Sequence, residues 1–527
     1  MTFKSITPGF SVSGQLTTED LHHAAAQGFK SVICNRPDGE EAGQPSAAAI
    51  QKEAEALGLS FTYIPAVSGA VTGDDAAKMK AALAQMPSPI LAYCRSGARS
   101  TKLWEMATKD QDAAPSSAKI YDVVIVGGGS AGIATASSLL KRNQKLSIAV
   151  IEPSEDHYYQ PGWTMVGAGV FSAEFTKRTE KSIMPKAVDW IKKAASGFVP
   201  EDNKVLLADG SSVAYRVLVA CPGIKLDWDA IDGLTETLGQ NGVTSNYRYD
   251  LAPYTNRLVK DFKQGRALFT QPPMPIKCAG APQKSMYLSC SAWERAGVLK
   301  DIDVQFHNSG AVLFGVAAYV PALMEYIERY DAHLNFESKL VAIDGPAKIA
   351  TFEQKRGDIV TRVEEKFDMI HVVPPQVAPD FVRNSPLAAA SGFIEVNEAT
   401  LQHVRYANVF ALGDACSASN AKTMAAARKQ APVVAVNVLA ALEGEPPVAD
   451  YDGYGSCPLT VERGKIVLAE FGYGGKLLPS FPNWLIDGTR PSRLSWLLKD
   501  TILPPIYWHG MLKGHEWMVN PHKIGAA

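Results

Sequence analysis

The chain has 527 residues, too many for one ordinary hydrophobic core, so two or three independently folding domains are expected. It is 46% hydrophobic and 20% charged with a formal charge of -2. That is the composition of a globular protein, and it supplies no field for nucleic acid. Seven cysteines spread over this length form no disulfide framework, no pair has the spacing of a structural zinc site, and no metal site is expected.

The N-terminal stretch Met1 to Leu16 lacks an apolar run flanked by basic residues, so no secretory signal is read and a cytoplasmic-side location is expected. Ser31 to Cys34 and Pro89 to Tyr93 read as short buried strands, and Asp74 to Gln85 and Ala98 to Thr108 as helices. This alternation predicts a small α/β domain over residues 1–108. Tyr93-Cys94-Arg-Ser-Gly-Ala-Arg99-Ser100 reads as a strand end, a loop and a helix start. Such a loop lowers a thiol pKa through its N–H groups and the helix dipole, and Arg99 is placed to clamp oxyanion oxygens. Four residues separate Cys94 from Arg99, as in rhodanese-type sulfurtransferases, whereas phosphate-sized loops of tyrosine phosphatases have five. Sulfur transfer, phosphatase chemistry and a non-catalytic fold remain open for this domain.

Residues 109–118, polar and small with a proline, read as a linker. Beyond it, Tyr121 to Val126 is a strand running into Gly127-Gly-Gly129-Ser130-Ala131-Gly132 and then a helix. The glycines allow a tight turn and bring backbone N–H groups to a pyrophosphate at the helix N-terminus. Glu152 ends the next strand, 20 residues after Gly132, where its carboxylate can bond ribose hydroxyls. Strands are also expected at 216–219, 267–270, 304–307 and 409–412, giving a Rossmann-like α/β architecture.

Tyr406 to Asp414 resembles the second flavin motif of two-dinucleotide-domain flavoproteins, which implies FAD, with Gly413 and Asp414 at the cofactor. A second glycine fingerprint for NAD(P)H is missing from the middle of the chain. In its place stands Ala267 to Lys284, rich in proline and carrying Cys278. Prolines remove the N–H donors that a pyrophosphate cradle needs, so nicotinamide is not the expected electron source.

The stretches His157 to Gly169, Lys277-Cys-Ala-Gly-Ala-Pro-Gln-Lys284, His371 to Pro375, Ala421 to Thr423 and Tyr451 to Leu459 resemble the sulfide:quinone oxidoreductases, in the group that includes the mitochondrial enzyme. The resemblance runs from about residue 119 to the C-terminus. It implies an FAD enzyme in which sulfide opens a disulfide of two cysteines to a persulfide and a thiolate, the electrons pass to the flavin and then to a membrane quinone, and a thiol such as glutathione takes the sulfur. It implies Cys278 as one member of the pair. For the other, Cys416 is the candidate, one residue later than the family's cysteine after the Gly-Asp motif, since Ala415 occupies that position. Cys221 is read as a small core residue more readily than as a flavin contact, and Cys34, Cys290 and Cys457 as core residues. Lys422 is either an electrostatic partner of the reduced cofactor or a solvated lysine. Gln160 either passes the cofactor or packs a loop, and Ala195 is placed on a strand passing the adenine by analogy.

Residues 481–527 hold Trp484, Trp496, Tyr507, Trp508 and Trp517 among short apolar runs, with five Lys/Arg against three acids. That pattern suits a peripheral, monotopic helical region on the cytoplasmic side of a bacterial inner membrane. A helical tail covering the core has the same pattern. Residues 1–108 resemble a bacterial family with a phosphatase-like fold described as beta-lactamase-hydrolase-like. Beside a sulfide oxidase this implies that Cys94 passes persulfide sulfur to a thiol. The competing classes are a flavin sulfide dehydrogenase with a cytochrome acceptor and a persulfide carrier or sensor.

Overall fold

The computed structural model describes residues 3–7, 9–69, 71–108 and 119–525, and the expected linker lies outside them. The chain divides into two compact units, residues 1–118 and 119–527.

In the first unit five strands order as Lys4–Thr7, Phe10–Ser13, Ile90–Tyr93, Ser31–Cys34 and Ser60–Tyr63. The first pair is antiparallel and the others are parallel. The two central strands are buried throughout because each face carries its own core. Ile33 and Ala92 point into one cluster, while Val32, Cys34, Leu91 and Tyr93 point into the other, as the two-residue period of a strand requires. Helices Thr18–Ala26 and Gly73–Gln85 each begin with a capping box, Thr17 with Asp20 and Thr72 with Asp75.

The second unit holds two dinucleotide-type sheets. In the first, strands Val188–Ile191, Ile148–Ile151, Ile120–Val126, Ser212–Ala220 and Val409–Ala411 run parallel, and Lys204–Leu207 with Ala195–Val199 extend the edge antiparallel. In the second, Val243–Thr244, Met369–His371, Gly265–Gln271, Ile302–Asn308 and His333–Phe336 are all parallel. Its strand Gly265–Gln271 leads through a turn holding Cys278 into helix Ala281–Ala296, so a cysteine turn stands where a phosphate-binding glycine turn would be. The hairpin of Gly455–Glu462 and Lys465–Phe471 packs on that helix. Met286, Cys290 and Trp293 share one core with Cys457, Leu459 and Val467.

The C-terminal region is helical from Arg493 to Lys513, with π-type turns at Leu498–Ile502 and Ile506–Gly510. Among the described residues no helix is long and apolar enough to cross a membrane. The run is two-faced. Leu494, Leu497 and Ile502 are exposed, but Tyr507 and Trp508 are core residues of the first sheet, so these two aromatics belong to the covering-tail reading.

Candidate functional site

A cavity of about 540 Å³ opens where the first sheet, the cysteine turn and the C-terminal run meet. That is within the size range of small-molecule and cofactor sites. Gly127, Gly128, Gly129, Ser130 and Ala131 line it. Gly127 and Gly132 are sterically required. A Cβ on Gly127, whose φ is +105°, would lie 2.5 Å from the Cys221 carbonyl oxygen, and one on Gly132 would lie 1.9 Å from the Gly127 oxygen. Helix Ser130–Arg142 then starts without a side-chain cap, which leaves first-turn N–H groups for an anionic ligand.

Glu152 accepts the N–H groups of Gly128 and Ser154, each at 2.8 Å, which fixes its carboxylate on the wall. Gly413, at φ +70°, approaches Ala131 and presents Asp414 to the same cavity. Burial holds the Asp414 carboxyl above its usual range, a rise that Lys422 and Lys277 offset only in part. Four buried polar atoms on the wall have no partner: Glu180 Oε1, Asn246 Oδ1, Trp163 Nε1 and Thr164 Oγ1. A glycine cradle, a helix N-terminus, a ribose-type carboxylate and unsatisfied wall groups together fit a bound dinucleotide.

Cys278 and Lys284 line the same cavity. Cys278 is in the left-handed region at φ +53°, held by its N–H to the Lys422 carbonyl at 2.8 Å. Its sulfur meets that of Cys457 at 3.7 Å. Lys284, buried at 3% exposure, donates to Cys278 Sγ at 3.0 Å and lies 3.9 Å from Cys457 Sγ. Cys457 donates to Cys278, and that hydrogen bond with the Lys284 charge holds the Cys278 thiol well below its usual range despite burial. The same bond pushes Cys457 up, making Cys278 the thiolate of the pair. Lys499, from the C-terminal run and 4% exposed, also lines the cavity. Burial and the neighbouring Lys284 lower its ammonium to about 7.

The contact partner of Cys278 is thus Cys457 and not Cys416. After Gly413–Ala415 completes a short 3-10 turn, Cys416 is extended and bridges to Ile394, which turns its side chain into the core. Its sulfur donates to the Gly413 carbonyl at 3.3 Å, and Cys416 does not line the cavity. Cys221 is buried yet lines the cavity beneath the glycine turn, 3.7 Å from the Gly127 oxygen. Lys422 is buried on the wall and spends its ammonium on the Cys416 carbonyl at 2.8 Å, so it is not a solvated lysine. Gln160 accepts from Lys277 at 2.7 Å on the cavity rim. Ala195 does not reach the cavity. It begins the far edge strand of the sheet, where its pairing is with Leu207.

Sequence reasoning missed Cys457, Lys284 and Lys499. Both Cys457 and Lys284 lie inside stretches already matched by resemblance, which was the available signal. Lys499 had no signal beyond being a charge in an apolar run.

In the first unit Cys94 follows strand Ile90–Tyr93 and is 1% exposed. Gly97, at φ +85°, turns its N–H onto the sulfur at 3.1 Å. Burial opposes the thiolate, but N–H groups of Ser100, Ser96 and Arg99 outweigh it and leave the thiol below its usual pKa. Arg99 departs from the expected free clamp. Its guanidinium is taken bidentately by Glu40, at 2.7 Å for each bond, and also donates to the Ala66 carbonyl at 2.6 Å. The reason is the loop after Cys34, where Arg36 holds Glu40 in place at 3.0 Å.

Comparison with known proteins gives a separate answer for each unit. Residues 2–111 match the family profile described as beta-lactamase hydrolase-like protein, phosphatase-like domain. They are 32% identical over 107 residues to a beta-lactamase hydrolase-like protein of Xylella fastidiosa, a quarter of that protein's length. The remainder is 43% identical over 398 residues to the mitochondrial sulfide:quinone oxidoreductase of Dictyostelium discoideum, covering 75% of this chain and 86% of that one. It is 36% identical over 397 residues to the Mus musculus protein of the same name, covering 75% and 87%. The Aquifex aeolicus sulfide:quinone oxidoreductase structure superimposes with a TM-score of 0.63 at 19% identity, covering 75% of this chain and 92% of that one, and shares the fold. Those identities over three quarters of its length show that the chain is an enzyme belonging to the sulfide:quinone oxidoreductase family.

Proposed function

We propose that the second unit oxidises sulfide with FAD in the cavity and Cys278–Cys457 as its redox pair, passing electrons to a membrane quinone. The observation that carries this reading is the 3.7 Å sulfur contact beside the dinucleotide seat, with Lys284 between the two thiols and solvent-poor surroundings. From the disulfide form, hydrosulfide attacks one sulfur. A carbon-free S–S bond forms to the incoming sulfur as the Cys278–Cys457 bond breaks, leaving a persulfide on one cysteine and a thiolate on the other. Lys284 favours Cys278 as the thiolate, and Cys278 is the member that faces the cavity. FAD, when bound, supplies a two-electron acceptor that quinone reoxidises. A thiol such as glutathione would take the sulfane sulfur, leaving both cysteines reduced, and loss of two electrons to that two-electron acceptor would re-form their S–S bond.

Exposed Trp484, Leu494, Leu497 and Ile502 give the C-terminal region an apolar outer side for the membrane surface, the source of a lipophilic quinone. In the first unit the lowered Cys94 thiol suits acceptance of persulfide sulfur and its delivery to a small thiol.

The test is sulfide-dependent reduction of a soluble quinone by FAD-loaded protein, with flavin bleaching followed by stopped flow. Cys278→Ser and Cys457→Ser are each expected to slow bleaching by more than a hundredfold, while Cys416→Ser stays within a few fold of wild type. Absence of quinone reduction by protein that retains FAD overturns the reading. Equal loss in Cys416→Ser moves the pair away from Cys457.

A further inference from the structure

One buried polar chain is not used by the sulfur chemistry. Tyr507, on the C-terminal run, places its hydroxyl 2.7 Å from Ser130 Oγ, at the first position of the glycine-turn helix. The same hydroxyl lies 2.5 Å from His157 Nε2, and His157 Nδ1 is 3.1 Å from Glu180 Oε2. Tyr507, His157 and Glu180 are 1%, 4% and 1% exposed. The other Glu180 oxygen has no partner, lines the cavity, and sits where a Cβ on Gly128 would come within 2.9 Å of it. The chain therefore starts under one side of the glycine turn and ends under the other.

The rest of the run follows the same helix. Ser137 donates to the Leu512 carbonyl at 2.8 Å, and Glu516 takes Ser138 at 2.6 Å and both Arg142 nitrogens at 2.6 and 2.8 Å. A Cβ on Gly514 would stand 2.9 Å from the Ser137 oxygen, so the two backbones approach as closely as a glycine permits. Trp508 closes the far side with an edge-on contact to His157.

We propose that Tyr507 is a positioning residue for the dinucleotide, acting through Ser130 and the His157–Glu180 pair, so that cofactor retention and docking of the C-terminal run are one coupled equilibrium. The proposal rests on FAD occupying the cavity as argued above. Fixing Ser130 fixes the first turn of the helix whose N–H groups meet the pyrophosphate, and Glu180 Oε1 is a buried acceptor awaiting a donor from the ligand. By linkage, whatever factor the docked run adds to FAD affinity, FAD adds to docking.

The experiment uses the full-length FAD-loaded protein and its FAD-stripped form, without sulfide or quinone. FAD affinity is read by flavin fluorescence, and docking by the rate of tryptic cleavage between Arg493 and Lys513. FAD is expected to slow that cleavage at least tenfold in wild type. Tyr507→Phe and Glu180→Gln are expected to weaken FAD on the order of tenfold and to shrink the protection in the same proportion. Ser130→Ala should behave likewise, and Ser130→Thr, which keeps the hydroxyl, should restore both readouts. FAD affinity within twofold of wild type in both Tyr507→Phe and Glu180→Gln overturns the proposal, as does cleavage indifferent to FAD. Protein that shows the coupling but turns over no sulfide overturns the catalytic reading and leaves this one standing.

Discussion

At Cys278 two opposing demands meet. Burial resists a thiolate, and the Cys457 hydrogen bond with the Lys284 ammonium more than reverses that resistance. The sign gives a test in reduced protein. Because the thiol pKa lies well below its usual value near 9, the inflection of the pH–alkylation profile of Cys278 should lie well below that of an ordinary thiol. Lys284→Met should move the inflection upward by about a unit and so slow alkylation about tenfold at pH values below it, measured by mass spectrometry of the Cys278 peptide. An unchanged profile removes Lys284 from the site. Cys278 itself was legible in the sequence because its neighbours form one contiguous stretch. Its partner was not, since the contact joins residues 179 apart and the resemblance of Tyr451 to Leu459 gave its cysteine no role. For the same reason the one-residue displacement of Cys416 drew attention to a turn whose sulfur meets the Gly413 carbonyl while Cys278 meets Cys457. Proximity in sequence to a flavin motif is not proximity of sulfur to sulfur.

At the level of elements, the pair depends on how helix Ala281–Ala296 sits on the hairpin carrying Cys457. Gly280, just before the helix, has ordinary backbone angles, φ -87° and ψ -6°, so its side chain is missing for space and not for conformation. A Cβ there would lie 2.4 Å from Cys457 Sγ and 2.3 Å from Leu459 Cδ2. Gly280→Ala must therefore displace the Cys457 sulfur and the Leu459 side chain. Sulfide-dependent flavin bleaching should fall more than tenfold while FAD content stays at the wild-type level, and thiol titration of air-oxidised protein should show two additional free thiols. Normal thiol counts would mean that the strand yields without parting the sulfurs. The glycine turn at Gly127 to Gly132 was readable from sequence because strand, turn and helix are consecutive, and Gly127, Gly128 and Gly132 each answer a clash within the turn or with the end of an adjoining strand. Ala195 was not readable, because the order of strands across a sheet is decided by packing that no short window contains.

On the scale of the whole molecule, the alternation of apolar runs and the polar stretch at 109–118 were enough to separate two α/β units, which the structure also separates. The C-terminal run was half legible. Its aromatic content suggested either a membrane surface or a covering tail, and the structure divides it by face, with Leu494, Leu497 and Ile502 outward and Lys499, Tyr507 and Trp508 inward. Composition carries no information about which face a residue takes when the helix includes wide turns.

The contact between Cys278 and Cys457 has a mechanical side. A bond there would close a loop of about 180 residues, tying the second dinucleotide-type sheet to the C-terminal hairpin. Chain-entropy reasoning puts the stabilisation from such a staple at about 5 kcal/mol. Each encounter with sulfide would then unfasten the same clasp that braces the fold, and each two-electron oxidation of the pair, once the sulfur has left, would refasten it. Oxidised protein should melt several degrees above protein reduced by a phosphine, and that difference should vanish in Cys457→Ser, as differential scanning calorimetry would show. Equal melting of the two forms would mean that the enzyme's redox cycle leaves its framework untouched.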